Sequence, residues 1–222
     1  MTGGGILALW NDCEAGHEDA YEAWYQEEHL AERLAVPGFR RGRRMQSLAD
    51  GPGYFTYYET DAPGVLFSLV YRQLLDHPSA STKRIMREAL RNMSRTVCSV
   101  ARRHGAIYGG YAVTVKLDDP DANGPIQLFA DGLADRTDVA RTEIWTAVAP
   151  PKGSTSREEI LRGGDDTIVT CLLVETLRDG PAQDRERCND SSDGTIVRGC
   201  VSAKSVTTHL WALVGAKGHL AP

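Results

Sequence analysis

The order of strand and helix patterns constrains this chain most, because the same order runs twice along its 222 residues. The first copy of this order begins with a short apolar run at 5–12, which is typical of a strand. A helix is then predicted from about His17 to Val36, where Pro37 and Gly38 end it.

The remaining sequence of the first copy predicts a hairpin, a helical region and a final strand. Extended runs at 39–48 and 54–60 are joined by the turn-forming sequence ADGPG. Helical patterns at 63–77 and from about 82 to 90 precede a strand within 94–101. Together these elements give the β-α-β-β-α-β order of a ferredoxin-like fold.

The second half repeats this order in a degenerate form, which indicates an internal duplication. Its predicted elements are a strand at 109–117, a helix at 125–135, strands at 141–148 and 167–177, a helix at 181–188 and a strand at 196–214. Polar loops at 154–156 and 188–194 are predicted to lie on the surface, and the end at 215–222 to be frayed. We therefore predict an α+β chain of two ferredoxin-like repeats, residues 1–104 and 105–222.

Composition indicates a soluble globular protein, since 41% of residues are hydrophobic and 25% are charged. The formal net charge of −5 gives no electrostatic reason to expect binding to nucleic acid or an anionic membrane. No run approaches the roughly 20 apolar residues that span a bilayer, and the N-terminus lacks the layout of a signal peptide. A cytoplasmic location is the expectation.

The sequence also lacks the common motifs for metals and nucleotides. Its five cysteines form no CxxC pair, and their odd number fits reduced thiols. No two histidines have the helical spacing of a metal site, and neither a phosphate-binding glycine loop nor a GxSxG nucleophile motif is present. We predict no metal and no cofactor.

One segment of the first half resembles a known family. The stretch WYQEEHLAERLAVPGF, Trp24 to Phe39, is followed by an arginine-rich strand, an aromatic strand at 54–59 and the helical sequence SLVYRQLLDHP. This pattern, over about residues 5–100, resembles the dimeric α/β-barrel superfamily, in particular its EthD-like members. The resemblance implies that two four-stranded sheets form a barrel, with ligands between a sheet and its covering helices. In a tandem chain the two halves could close that barrel within one polypeptide, and a homodimer would then use another surface.

The helix carries the candidate catalytic residues. Tyr25, His29 and Arg33 are spaced four apart and therefore lie on one helical face. His29 could act as a general acid or base, with Tyr25 as hydrogen-bond donor and Arg33 holding a carboxylate or enolate oxygen. The alternative is structural: His29 and Arg33 pair with glutamates such as Glu28 or Glu32, while Tyr25 packs in the core.

Candidates for substrate binding come from the elements around this helical face. They are Asn11 and Asp12 at the end of the first strand, Trp24 on the helix, and Tyr54 and Tyr58 on one face of the second hairpin strand. Asp12 could serve as a base or orient a histidine. Capping at the strand end is its structural alternative.

Other polar and aromatic residues are assigned structural roles. The arginines of FRRGRRM are predicted to be solvated and to protect a sheet edge, with an anion site as the alternative. His77 is predicted to cap a helix end. Trp145, His209 and Trp211 could line a second cavity, but a core role is favoured. The helix predicted at 125–135 has no WYxxxH counterpart, so one asymmetric pocket centred on His29 is expected per chain.

Three functions are compatible with these residues. The leading hypothesis is a cofactor-independent isomerase, cyclase or lyase that acts by proton transfer on a small aromatic or enolisable metabolite. The second is an oxygenase, either cofactor-free or haem-dependent, because the resembled superfamily contains both kinds and His29, His77 or His209 could ligate a haem. The third is a non-catalytic protein that binds a small molecule or acts as a scaffold.

Overall fold

The computed structural model describes residues 4–48, 52–117, 123–178 and 206–218, the last range by its backbone alone. The strands are β1 (Gly5–Cys13), β2 (Phe39–Ser47), β3 (Tyr54–Thr60), β4 (Leu90–His104), β5 (Tyr111–Leu117), β6 (Val139–Ala147), β7 (Thr170–Thr176) and β8 (Val206–Gly218). The helical elements are α1 (Glu18–Trp24), a π turn (Tyr25–His29), α2 (Leu30–Leu34), a 3-10 turn (Pro63–Phe67), α3 (Leu69–Asp76), α4 (Ala80–Glu88), α5 (Asn123–Ala134) and α6 (Arg157–Arg162).

The strands of the described ranges close into one antiparallel barrel in the order β1-β3-β2-β8-β5-β7-β6-β4. Each half contributes a sheet of ferredoxin-like order, β4-β1-β3-β2 and β8-β5-β7-β6, and the sheets join through the β2–β8 and β4–β6 pairs. The predicted α+β class and the two-repeat barrel are confirmed. The barrel closes within a single chain, while the division at residues 104 and 105 stays a prediction.

The two faces of β3 show how the alternation of side chains builds two cores. Phe55 and Tyr57 point into the barrel, where they pack with the buried tryptophans Trp10 and Trp145. Tyr54 and Tyr58 point outward and pack beneath the helices of the first half. Because side chains alternate along a strand, the aromatic run at 54–59 contributes side chains to both cores.

Several element boundaries differ from the sequence predictions. The helix predicted from His17 to Val36 contains a π turn, and the helical pattern at 63–77 begins with a 3-10 turn. Residues 154–156 form the predicted loop, but Ser156 is buried and the loop leads into α6, a helix that was not predicted. The predicted frayed end is paired as far as Gly218 in β8. The helix and loop predicted at 181–188 and 188–194 lie outside the described residues.

The predicted solvated role is wrong for two arginines of β2. Arg43 and Arg44 are 2% and 3% exposed, because β2 pairs with both β3 and β8 and is not an edge. Arg43 points into the barrel, 3.6 Å from the carboxylate of Glu175. Arg44 points under the helices, where its Nη1 donates to Glu22 at 2.5 Å. Arg40, by contrast, is exposed as predicted and pairs with Asp61 at the surface.

Other structural assignments can be located in the fold. His77 follows the last turn of α3, and its Nδ1 lies 2.9 Å from the carbonyl oxygen of Gln73. Trp145 is fully buried in the barrel. The side chains of His209 and Trp211 lie outside the described part of the chain. Among the helices that the structure describes, none has the length and apolar character to cross a bilayer.

Gly105, directly after β4, gives a test of the chain path between the two halves. Its φ is +79°, and an added Cβ would overlap the carbonyl oxygen of Ala140. Gly105→Ala should therefore lower the free energy of unfolding by about 2 kcal/mol, measured by urea denaturation. Gly110→Ala is the matched control, since its Cβ would meet no atom within 4 Å. Equal stability of the two variants would contradict this packing.

Candidate active site

The π turn places the candidate catalytic histidine. Over Tyr25–His29 the helix widens, and the N–H of Leu30 donates to the carbonyl oxygen of Tyr25, five residues back. Such single π turns are frequent at functional sites, because the extra residue changes which side chains face a pocket. On either side of this turn, α1 and α2 keep regular α-helical geometry.

Glu28 of the π turn is held by hydrogen bonds from the neighbouring helix α4. The Glu28 carboxylate accepts hydrogen bonds from Ser79, Ser81 and Thr82 at the start of α4. Thr82 also accepts from the indole N–H of Trp24 at 3.0 Å. Glu28 therefore ties two helices together and is not the partner of His29 that the structural alternative proposed.

A cavity lies between this helix, the outer face of the sheet and α6. It is lined by Leu7, Leu9, Trp24, Tyr25, His29, Arg33, Tyr58, Tyr71, Met86, Leu90, Met93, Arg95, Glu158 and Arg162. The three predicted catalytic residues thus share one cavity with Trp24 and Tyr58. Its volume of about 20 Å³ holds about one water molecule, so a ring-bearing ligand requires its walls to move.

Two of those walls are suited to such a movement. Met86 and Met93 are unbranched side chains that can adopt other rotamers at low cost. The α6 segment is flanked by glycines with positive φ, Gly153 before it and Gly163 after it. We therefore expect ligand binding to displace the methionines or α6, while the sheet wall stays in place.

His29 is buried and neutral in this cavity. It is 6% exposed, and the centroid of its ring lies 4.0 Å from the centroid of the Trp24 ring and 5.1 Å from that of the Tyr25 ring. Burial, together with the nearby guanidinium groups of Arg33 and Arg162, lowers the pKa of His29 well below its usual value. A neutral imidazole can accept a proton at physiological pH, which is what a general base requires.

Arg33 is 2% exposed and is held by an acid from the other half of the chain. Its Nη2 donates to Oε1 of Glu158 on α6 at 2.5 Å, and Nη1 lies 3.7 Å from Glu32. The predicted pairing of Arg33 with a glutamate therefore exists, but the main partner is 125 residues away. The guanidinium also lies over the ring of Tyr71, 5.7 Å from its centroid.

Three polar atoms around the cavity have no hydrogen-bond partner among the described residues. They are Nδ1 of His29, Nη1 of Arg33 and the hydroxyl of Tyr58. Burial raises the pKa of Tyr58 well above its usual value, so its hydroxyl stays protonated. Buried polar groups are rarely left without partners, and these three together offer an acceptor and two donors to a polar ligand.

The remaining predicted substrate-binding residues lie outside this cavity. Asn11 exchanges two hydrogen bonds with the hydroxyl of Tyr21, at 2.8 and 3.0 Å. Tyr54 packs against the Arg44 guanidinium, 4.2 Å from the ring centroid. Asp12 accepts from the Gly53 N–H and from Asn92 Nδ2, each at 2.7 Å. The structural alternative for Asp12 matches this geometry, since one carboxylate oxygen accepts from the loop before β3 and the other from Asn92 on β4.

Three charged residues of the cavity were missed from the sequence. Glu158 and Arg162 belong to α6, and Arg95 lies on β4 on the same face as Met93 and Val97. The sequence SREE at 156–159 has the Ser-x-x-Glu pattern of a helix N-terminus, and Ser156 indeed accepts from the Glu159 N–H. That signal predicts α6, but no sequence signal places α6 over the first half.

Comparisons with known proteins agree on the architecture. No protein-family model matches the sequence, and no curated protein matches it. Among solved structures, an anthrone oxidase-like protein aligns with TM-score 0.67 and 11% identity over 97% of this chain and 93% of its own. A presumed monooxygenase from Fusobacterium nucleatum aligns with TM-score 0.62 and 8% identity, over 97% and 94% of the two chains.

A third structure extends the comparison to another activity. A chlorite dismutase variant from Candidatus Nitrospira defluvii, in complex with cyanide, aligns with TM-score 0.54 and 10% identity over 96% of this chain and 92% of its own. The chain has the dimeric α/β-barrel fold. At these identities the dimeric α/β-barrel likeness shows the architecture alone, and any activity has to be argued from the site.

A haem group does not fit the residues described around His29. The rings of Trp24 and Tyr25 lie against the imidazole, with their centroids 4.0 and 5.1 Å from its own. An axial histidine needs an open face for the macrocycle, which these aromatic walls fill. The described residues also contain no group of three or more His, Cys, Asp or Glu that could hold a metal ion. Cofactor independence stays a prediction.

The structural role of Asp12 can be tested by measuring the stability of a variant that lacks its carboxylate. Asp12→Ala removes the acceptor of two hydrogen bonds and should lower the free energy of unfolding by about 1–3 kcal/mol in urea denaturation. Asp135→Ala, at an exposed turn, is the control and should be near neutral. If Asp12→Ala were as stable as the wild type, the loop-fixing role would be wrong.

The neutral state of His29 predicts a specific pH dependence of stability. Because its pKa is lower in the folded than in the unfolded protein, the unfolded state binds more protons below about pH 6.5. Stability should therefore fall as pH decreases from about 6.5 towards the folded pKa, by up to about 1.4 kcal/mol per pH unit for this one group. His29→Gln should show a shallower slope.

The measurement is urea denaturation at a series of pH values for wild type, His29→Gln and His77→Gln. His77 is exposed at the end of α3, so its replacement should leave the slope of the wild type unchanged. Identical slopes for His29→Gln and wild type would show that His29 is not held neutral.

Proposed function

We propose that this protein is a cofactor-independent oxygenase that acts on an enolisable aromatic compound of the anthrone or phenol type. The observation that carries the proposal is the neutral, buried His29, whose Nδ1 lacks a partner among the described residues, beside a cationic and aromatic cavity. The likeness in fold to an anthrone oxidase-like protein and a presumed monooxygenase supports the choice of oxygen chemistry over isomerisation.

The first step is removal of a proton from the substrate. His29 Nδ1 accepts the proton, and the oxygen that becomes an enolate is held by Arg33 Nη1 and the Tyr58 hydroxyl. Both groups are buried hydrogen-bond donors, so they can stabilise the developing negative charge strongly. The resulting imidazolium is paired with the enolate, which offsets its repulsion by the surrounding guanidinium groups.

Oxygen then reacts with the carbanion form of the enolate. A C–O bond forms as O₂ is reduced to a peroxide, which takes the proton back from the imidazolium. Loss of water from this hydroperoxide, with the remaining hydrogen of the same carbon, leaves a carbonyl group. The substrate supplies all the electrons, so that CH₂ and O₂ become C=O and H₂O without a further reductant.

The isomerase, cyclase or lyase hypothesis shares the first step. It differs in the fate of the enolate, which would rearrange or break down without reacting with oxygen. No described residue of the cavity favours a particular rearrangement. The proposal therefore keeps the predicted roles of His29 and Arg33, gives the hydrogen-bond donor role predicted for Tyr25 to Tyr58, and assigns the second step to oxygen. A small-molecule substrate, a cytoplasmic location and a homodimer are part of the same proposal.

The experiment is oxygen uptake with a panel of anthrones and hydroxynaphthalenes, followed by mass spectrometry of the product after reaction under ¹⁸O₂. One ¹⁸O atom should enter the new carbonyl group, and His29→Gln should lower kcat/KM by about 10²–10⁴-fold. His77→Gln should keep the wild-type value. The purified protein should show no Soret absorption band during active turnover.

Two outcomes would contradict the proposal. Conversion of the substrate at the same rate without oxygen would favour the proton-transfer reading. Recovery of an unchanged ligand, with no uptake across the panel, would favour a binding protein.

A further inference from the structure

The cavity contains one arginine that has no carboxylate partner among the described residues. Its lining contains three guanidinium groups, those of Arg33, Arg95 and Arg162. Arg33 is paired with Glu158 at 2.5 Å. Arg162 makes a two-point contact with Asp165, at 2.9 Å from Nε and 2.6 Å from Nη2. Each of these two cations therefore has its own carboxylate.

Arg95 has no such partner in the described part of the chain. Its side-chain contact there is a long hydrogen bond from Nη2 to the Tyr71 hydroxyl at 3.4 Å. The hydroxyl carries no charge, so no carboxylate contacts the Arg95 guanidinium directly. Guanidinium groups in partly buried sites are normally paired with a carboxylate or phosphate, because desolvation without a partner is costly.

The position of Arg95 suggests where a ligand anion would lie. Arg95 is partly exposed, whereas His29, Arg33 and Tyr58 are buried. A substrate whose reacting end faces His29 would direct its opposite end towards Arg95. Nη1 of Arg33, which makes no hydrogen bond and lies 3.7 Å from Glu32, is the second cationic group that faces the ligand, and it lies at the buried end.

We propose that Arg95 determines substrate specificity by binding a carboxylate of the substrate, so that the preferred substrate is an anionic aromatic acid. This inference rests on the proposed function and narrows its substrate class. The planar guanidinium can bind a carboxylate through two parallel hydrogen bonds, which also fixes the orientation of the aromatic ring. The same anion pairs with the Arg95 guanidinium, while His29 and Arg33 remain available to act on the phenolic or enolisable end.

The test compares two ligands of nearly the same shape that differ in charge. The probes are 6-hydroxy-2-naphthoate and its methyl ester, and their affinities for the full-length protein are measured by isothermal titration calorimetry. Wild-type protein should bind the acid at least tenfold more tightly than the ester. In Arg95→Gln this ratio should fall to about one, mainly through weaker binding of the acid.

Two further variants keep the result interpretable. Arg84→Gln removes an equal charge from the exposed face of α4 and should keep the wild-type ratio. Arg95→Lys keeps the charge but loses the two-point geometry, so it should retain part of the selectivity. If Arg95→Gln does not fold, an intermediate ratio in Arg95→Lys, set against the unchanged ratio in Arg84→Gln, supports the proposal on its own.

The inference is overturned if wild-type protein fails to bind the acid, if it binds acid and ester equally, or if Arg95→Gln or Arg95→Lys keeps the full wild-type ratio. Its failure is distinguishable from failure of the proposed function. Selective binding of the acid without oxygen uptake would leave Arg95 as an anion site and reject the oxygenase. Oxygen uptake with neutral and anionic substrates alike would do the reverse.

Discussion

The buried ion pair between Arg33 and Glu158 is the interaction on which the shape of the site depends. Its two members come from α2 and α6, in different halves of the chain, and are 2% and 4% exposed at their side chains. Removing one partner of such a pair typically costs about 3–5 kcal/mol, because the other charge is left buried and unpaired. The pair therefore fixes α6 over the first half and closes the cavity around His29.

This arrangement also sets the chemistry that the site can perform. The guanidinium groups near His29 act with burial to keep the imidazole neutral, and they disfavour its protonated form unless a negative charge develops beside it. In the proposed reaction, proton removal from a substrate creates that charge at the required place. The contacts that stabilise the closed cavity would then be the same contacts that favour the proposed enolate.

Much of the fold could be predicted from the sequence, because it depends on local patterns. The strand and helix order, the hairpin and the two faces of β3 follow from alternation, helical periodicity and turn residues. The placement of Tyr25, His29 and Arg33 in one cavity also followed from spacing. The π turn, the burial of Arg43 and Arg44 and the position of Asp12 did not, since each depends on contacts with distant segments such as β8, Glu22 or Asn92.

By itself, the sequence determined that the chain has two ferredoxin-like repeats and that one helix carries an aromatic and titratable face. Only the tertiary structure decided that the barrel closes within a single chain and that α6 of the second half completes the site of the first. The physical reason is that strand pairing and buried ion pairs join residues far apart in sequence, such as Arg33 and Glu158, so no local pattern specifies them. That Arg95 has no carboxylate partner among the described residues became visible for the same reason, once its neighbours were known.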